Sequence, residues 1–586
     1  MYTISQILNQ VFKEALNQSL PQVDLKDSSN IIITPATKEE FGHYQFNSAL
    51  KLAKELKLPP REIASKIKDA LPHFFDGTPL FSKIEIAGPG FINLFLSTEI
   101  LERKLKLMLK DKRLGLPPLE NPKKVIVEFS SPNTAKEMHV GHLRSTIIGE
   151  CLARCFEFIG HDVLRLNHIG DWGTSFGMLI TYIKREAPNV LIKEKSASLQ
   201  DLCDWYKKSK VCFDQDEAFK KESQLCVVAL QAKNKEEMKA WEIITAISRE
   251  AYQEIYDLLD ATLTERGESF YNPMLGEIVQ DLEDKKLITI SNGAKCVFVE
   301  GFKGRDDEPF PLMVQKSDGG YNYDTTDIAA MKHRTEVEKA DRIIVVVDSG
   351  QGLHFNLVKE VSTLAGFLDP QKNQFDHVGF GLVLGADGKK FKTRSGETEK
   401  LIDLLNNAIA KAEATIKERT PDIDPKELKE SSRALGIGAV KYADLSCNRL
   451  GDYTFSYDRM LRFDGNTACY VMYSYVRILS IQRRVSSSLE EVIKNPTFSF
   501  SHSSEMALAA HLIKFPVVVK QMSEDLLPNK LTDFLFQLAD KFNSFFRDCR
   551  VEGSEEQNQR LCLCELSKRV FAQGFQLLAL PIVQKM

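Results

Sequence analysis

With 586 residues the chain is too long for one hydrophobic core, and its length suggests about three or four domains. An apolar share of 43% beside 27% charged residues excludes a disordered or fibrous chain, and a net charge of -4 means any RNA partner must be met by local basic patches. No apolar run approaches the roughly 20 residues of a membrane span, so no membrane partner is expected.

The start, "MYTISQILNQVFKEAL", reads as an amphipathic helix carrying Lys13 and Glu14 rather than a cleavable leader, which points to the cytoplasm. Two further helical patterns follow, "FNSALKLAKELK" and "PREIASKIKDAL", then a strand after a tight turn, "GPGFINLFLS". These make a small α+β unit over 1–115. Proline-bearing joints stand at 115–124 ("GLPPLENPKK") and 418–427 ("ERTPDIDPKE").

Between the joints, over 116–430, strands and helices alternate. "VIVEFS" reads as a buried strand, "GHLRSTIIGECLARCFEFIG" as a helix closed by Gly160, and "HDVLRLNHIG" as the next strand. Such a βαβ unit implies a parallel sheet. "DRIIVVVDSG" and "HVGFGLVLG" supply two more strands, while about 177–300 is mostly helical and reads as an insertion. From 431 to 586 the pattern is a helical bundle, with Leu531, Phe534, Leu535, Leu538, Phe542 and Phe545 at helical spacing on one face. None of the eleven cysteines forms a C-x2-C pair, so Cys151, Cys155, Cys562 and Cys564 read as buried thiols and no structural zinc is expected.

The stretch "SPNTAKEMHVGH", Ser131 to His142, sits where the first strand hands over to its helix. In a doubly wound sheet that is where ligands bind, at helix N-termini beyond the carboxyl ends of strands. His139 and His142, one turn apart, can donate N–H bonds to phosphoryl oxygens, and Gly141 lets a flat ring approach the backbone. A metal site would need a third ligand and usually a glutamate between the histidines. Two histidines that only cap the helix remain an equal alternative. After the last strand comes "ADGKKFKTRSGE", with Lys389, Lys390, Lys392 and Arg394 beside Gly388 and Gly396. A basic loop there suits charge stabilisation on a triphosphate, and a solvated hairpin is the plainer alternative.

Together the two stretches resemble the H-x-G-H and K-M-S-K-S signatures of class I aminoacyl-tRNA synthetases. The closer resemblance is to the arginyl-tRNA synthetase family, carried by "VEFSSPNTAKEMHVGHLRSTIIGE", "HIGDWGTSFGML", "LGADGKKFKTRSGET" and "YSYVRILSIQRR", and by "GHYQFNSALKLAKEL" and "GPGFINLFLS" near the start. It covers nearly the whole chain, the 177–300 insertion least clearly. It implies a multidomain α/β protein: a parallel Rossmann-type catalytic sheet with a helical insertion, a small N-terminal α+β domain that touches the tRNA elbow, and a C-terminal all-α bundle that reads the anticodon.

The resemblance further implies an arginine–tRNA ligase that joins L-arginine to tRNA(Arg) with ATP as substrate and Mg2+ accompanying it, acting as a monomer. Pro132, Asn133, Lys136, His139, Gly141 and His142 fall on the ATP-binding positions, and Lys390, Lys392 and Arg394 on the loop that closes over the pyrophosphate. Against K-M-S-K-S the second lysine falls on Thr393, and the resemblance suggests that Lys136 makes its phosphate contact instead. Glu128, Asn133, Tyr323, Asp327 and Gln351 fall on the arginine pocket. A pocket of buried acceptors would reject lysine or citrulline by about 10⁴–10⁵, so hydrolytic editing is not expected. For the tRNA, helical spacing puts Tyr470, Tyr473 and Arg477 on one face and Tyr475 elsewhere, with most of the tyrosines expected in the core. "LERKLKLMLKDKRLG" could touch phosphates or be an ordinary charged helix face. Two rival readings are a small-molecule nucleotidyltransferase sharing H-x-G-H and a tRNA-binding paralogue without catalysis.

Overall fold

The structure, a computed structural model, describes residues 2–304, 307–391, 399–485 and 488–585. Its centre is a parallel sheet of five strands. Their spatial order is Gln374–Phe380, Arg342–Asp348, Lys124–Glu128, Asp162–Asn167, Thr264–Glu265. In chain order this reads 5-4-1-2-3. The chain therefore starts in the middle, builds outward on one side, and returns to build on the other. The reversal lies between Lys124–Glu128 and Arg342–Asp348, which makes their carboxyl ends the natural ligand crevice.

The middle strands are near-continuous apolar runs because both of their faces are covered. Val125, Ile126, Val127 and Ile343 to Val346 are all buried. One face packs against a core that runs on into the N-terminal domain and the C-terminal helices. The other face is covered by the helices Leu275–Asp284, Tyr323–Glu336 and Gly352–Leu364.

The helix Val140–Ile159 follows the first strand and is buried almost all round. Gly160 ends it in the left-handed region, at φ 111°, as a helix-terminating glycine does. Gly149 is needed for a different reason. A Cβ there would lie 2.2 Å from Cγ of Phe129, the residue that leads from the strand into the histidine loop.

The N-terminal domain sets the helices Ile4–Ser19, Ala49–Leu56 and Pro60–Ala70 with an antiparallel sheet ordered Ile33–Pro35, Tyr44–Phe46, Phe91–Leu96, Phe81–Ala87. The insertion is mostly helical, as the sequence reads, with one addition at its end. After Leu275–Asp284 the chain forms an antiparallel sheet of Thr289–Ser291, Ala294–Lys303 and Pro309–Gln315. Its first turn is an Asn-Gly pair with positive φ at both positions, 50° at Asn292 and 78° at Gly293. That dipeptide is a strong hairpin signal, and the sequence reading passed over it.

The bundle packs Pro425–Leu445, Ala468–Arg484, Ser503–Leu512, Phe515–Asp525, Asn529–Asp548 and Gln557–Leu577. The six apolar residues read on one face of Asn529–Asp548 are all buried. Cys151, Cys155, Cys562 and Cys564 are free and buried among other apolar groups. Arg144 joins bundle to sheet: its buried guanidinium pairs with buried Asp444 at 3.1 Å and donates to the carbonyls of Gly381 and Gly451.

Adding a methyl at Gly149 must displace the Phe129 ring. Gly149→Ala is expected to lower stability by about 1–3 kcal/mol, the usual cost of overpacking, visible as a lower melting temperature in circular dichroism. An unchanged melting temperature would mean that the strand–helix contact yields freely.

Candidate active site at the reversal of the sheet

A cavity of about 470 Å³ lies at the sheet's reversal, lined by residues from the ends of several strands and the helices that follow them. Among the lining groups are Glu128, Asn133, His139, Gly141, His142, Tyr323, Asp327, Gln351 and Lys390. Residues far apart in sequence, singled out for two different ligands, thus share one space.

The histidines are tied by a reciprocal cap. Nδ1 of His139 accepts the N–H of Gly141, and Nδ1 of His142 accepts the N–H of His139, each at 3.1 Å. A nitrogen that accepts a backbone N–H carries no proton, so each neutral ring holds its proton on Nε2. Burial lowers the pKa of both, that of His142 to about 3 and that of His139 with help from the Lys390 charge. Both rings are therefore neutral at pH 7 and free to donate from Nε2. Capping occupies Nδ1 and leaves Nε2 open, so capping and phosphate binding, which look like alternatives in the sequence, are compatible on the same rings. The flat ring that comes close to Gly141 is that of His139, which a Cβ would meet at 2.9 Å.

The loop before the cap is held in a costly shape. Ser130, Ser131 and Ala135 have φ of 71°, 47° and 59°, positions that cost non-glycine residues on the order of 1–3 kcal/mol each. Hydrogen bonds offset this: Ser131 N–H to Asn167 Oδ1 at 3.0 Å, Thr134 N–H to Gly170 O at 3.0 Å, Ala135 N–H to Ser248 Oγ at 3.1 Å. Asn133 rests on Gly170, where a Cβ would lie 2.1 Å from its Oδ1. Pro132 is buried within this loop and is not among the cavity's lining residues. Lys136 stands outside the cavity, exposed, with its ammonium 5.1 Å over the Tyr206 ring.

Lys390 reaches the cavity from a short hairpin, bridged to Leu384 and rooted where Val383–Leu384 pairs with Tyr453–Thr454. Lys392 and Arg394 lie outside the described residues.

The opposite end of the cavity is acidic. Asp327 accepts from His354 Nε2 at 2.6 Å, and His354 Nδ1 lies 3.2 Å from Asp324. Burial works against a charge on this imidazole, but the two carboxylates overcome it and raise its pKa to about 9. Glu268, also on the cavity wall, is pushed up to about 8 by burial and by the charges of Asp327 and Asp171. Glu128 is already engaged, paired at 2.5 Å with the buried guanidinium of Arg334. Tyr323 and Gln351 are exposed at the mouth. A cavity with donors and a lysine at one end and carboxylates at the other suits an anionic ligand beside a cationic one.

The sequence reading missed Glu268, His354, His168 and Arg334. His168 directly follows the strand Asp162–Asn167, so the strand-end rule that singled out the histidine motif applied there as well. Glu268 follows a strand of two residues, Thr264–Glu265, too short to leave a pattern.

In the bundle Tyr475 is buried against Phe575. Tyr470 is half-buried and donates to Asp540 at 2.6 Å. Tyr473 is exposed, with the Arg477 guanidinium 4.8 Å from its ring centre. Arg477 also donates to Asn543 at 2.6 Å.

Three family models match the chain. "tRNA synthetases class I (R), catalytic domain" covers residues 104–457, "DALR anticodon binding domain" 471–586, and "Arginyl tRNA synthetase N terminal domain" 6–96. An arginine–tRNA ligase of Protochlamydia amoebophila is 55% identical and one of Chlamydia caviae 51%, each over 100% of both chains. The crystal structure of an arginyl-tRNA synthetase from Plasmodium falciparum superposes with a TM-score of 0.86 at 33% identity, over 100% of each chain.

The His354 bridge fixes a pH dependence. Its folded pKa lies above the unfolded value near 6.5, so its stabilisation is complete below that value and is lost as pH rises through about 9. The melting-temperature gap between the native protein and His354→Asn should be widest at acidic to neutral pH and close on the alkaline side of about 9. A gap independent of pH would contradict the bridge.

Proposed function

The chain belongs to the arginyl-tRNA synthetases of class I, and from that premise we propose how its cavity carries out the family's reaction. It is an arginine–tRNA ligase: it activates L-arginine with ATP and transfers the arginyl group to the terminal adenosine of tRNA(Arg). The arginine carboxylate attacks the α-phosphate in line, the bond to pyrophosphate breaks, and arginyl-adenylate forms. The 2′-hydroxyl of the terminal adenosine then attacks the carbonyl and releases AMP. No side chain acts as nucleophile; the protein positions reactants and stabilises charge.

The observation that carries this reading is the two-ended cavity. His139 and His142 donate from Nε2 to the ATP phosphates, and Lys390 faces the same end. Lys392 and Arg394 complete the basic loop, and Lys136 swings in from the Tyr206 ring to make the contact that Thr393 cannot. Asn133 and Gly141 border the nucleotide, with Pro132 setting the loop. Magnesium travels with the ATP phosphates and supplies charge neutralisation when bound. Asp327 and Glu268 receive the guanidinium, with Tyr323 as a wall. Glu128, oriented by Arg334, and Gln351 serve the α-amino and carboxyl side.

We further propose that residues 1–115 and 431–586 hold the tRNA on either side of the catalytic unit 116–430, with the Tyr473–Arg477 stack and neighbouring Tyr470 offered to RNA. The chain acts as a monomer in the cytoplasm. The reaction draws on the cytoplasmic pools of tRNA and ATP. The direct test is ATP–pyrophosphate exchange with purified protein and tRNA(Arg). Exchange with arginine but not lysine or citrulline is expected. Its absence in folded, ATP-binding protein would leave the RNA-binding paralogue.

His142→Ala should slow adenylate formation ten-fold or more in single-turnover kinetics, about 1.4 kcal/mol in the barrier; an unchanged rate would remove His142 from the mechanism. Glu268 gives a second prediction. With a pKa of about 8 in the free site it is mostly protonated at pH 7, and an arriving guanidinium favours its charged form. Arginine binding should then release a proton near neutral pH, seen by calorimetry in buffers of different ionisation enthalpy. Glu268→Gln should abolish the release. Heats that do not depend on buffer would exclude that role.

A further inference from the structure

A second cavity, of about 330 Å³, lies between the N-terminal domain and the bundle. One wall is the segment carrying Lys38, Glu39 and His43; the other carries Lys514 and Lys541 from the helical side. Three lysines against one glutamate leave the lining with a net charge of about +2. Lys541 is paired with Glu39, and Lys38 lies 3.5 Å from Glu40. Lys514 differs. Its side chain is half-buried and has no hydrogen-bond or ion-pair partner among the described residues. Burial, with Lys541 nearby, lowers its pKa. His43 adds a neutral donor: its Nδ1 accepts the N–H of Leu96 at 2.9 Å, which leaves its proton on Nε2.

An ammonium partly withdrawn from water with no anion opposite it is held at some cost to the fold. A cost of this kind is retained where a ligand supplies the missing charge. The lining offers cationic and N–H donors from two domains at once, which is what a phosphoryl oxyanion requires.

We propose that this junction is a phosphate-binding site for the tRNA backbone, with Lys514 as its central contact and Lys38, His43 and Lys541 around it. The proposal rests on the reading of the chain as a tRNA ligase. It adds to it a contact made jointly by the N-terminal domain and the bundle, so that one phosphodiester group pins the two domains together around the RNA. Free phosphate shares the chemistry, and the test separates the two sources.

The test measures tRNA(Arg) binding to the full chain by filter retention over a range of salt, for the native protein, Lys514→Met and Lys514→Arg. Losing one phosphate contact should weaken binding several-fold for Lys514→Met and reduce the slope of log K against log salt by about 0.7–0.9. Lys514→Arg should keep most of the affinity. The melting temperature of Lys514→Met should be equal to or above that of the native protein, because a partly buried charge without a counter-ion has been removed. Unchanged affinity and slope would overturn the proposal. So would weakened binding with a lowered melting temperature and no recovery in Lys514→Arg, which would make Lys514 a strut between domains. If inorganic phosphate raises the native melting temperature while Lys514→Met binds tRNA normally, the site belongs to a free anion and the RNA assignment falls. A native protein that binds no tRNA(Arg) at all would instead refute the ligase reading itself.

Discussion

The reciprocal bond between His139 and His142 is the constraint on which the rest of the site depends. Each imidazole gives Nδ1 to a backbone N–H at the start of Val140–Ile159, and that single use decides where its proton is. Helix N-termini leave N–H groups without partners, and a serine or aspartate would satisfy them as well. Neither would present a second nitrogen at the far side of a rigid ring. The cap therefore sets tautomer, orientation and charge at once. Burial adds that the rings stay neutral, so under the proposed mechanism they would meet phosphate as neutral donors at pH 7.

What holds the cap in place reaches into every part of the catalytic unit. Phe129 packs against Gly149 on the same helix, and Ser130 N–H donates to Ser145 Oγ one turn nearer the helix start. The left-handed residues of the loop are tied to the second strand through Asn167 and to the insertion through Ser248. Arg144, within the same helix, carries the constraint to the bundle through Asp444. Across the cavity the carboxylates are arranged by the same economy: His354 is shared between Asp324 and Asp327, and Arg334 neutralises Glu128. The acidic end is thereby partly neutralised, while burial and the remaining charges of Asp327 and Asp171 keep Glu268 mostly protonated at pH 7.

Much of this was legible in the sequence, and the reasons are physical. Buried parallel strands are apolar on both faces, so "VIVEFS" and "DRIIVVVDSG" stand out, and a helix closed by Gly160 separates the first pair. The switch-point rule then placed "SPNTAKEMHVGH" at the ligand crevice without any structure. Family resemblance, rather than pattern, brought Tyr323, Asp327 and Gln351 to the same place. Less legible were groups whose role depends on tertiary neighbours. Glu268 follows a strand too short to show a period, and Arg334 sits in a helix whose sequence says nothing of Glu128 on the strand it packs against. Lys136, assigned by resemblance to the phosphates, rests over Tyr206, a contact that its long side chain permits and that the sequence does not announce. The Asn292-Gly293 hairpin was legible and passed over, masked by the helices before it.

In the proposed mechanism two neutral, Nε2-protonated histidines grip phosphate while Nδ1 holds the helix. Nitrogen NMR on ¹⁵N-histidine-labelled protein, assigned with His139→Asn and His142→Asn, reads the tautomer directly. Both rings should be Nε2-protonated at pH 7, remain so through the range where a free imidazole gains a proton, about pH 6.5, and shift at Nε2 when ATP is added. Protonation on Nδ1, ordinary titration near that pH, or Nε2 signals indifferent to ATP would contradict it.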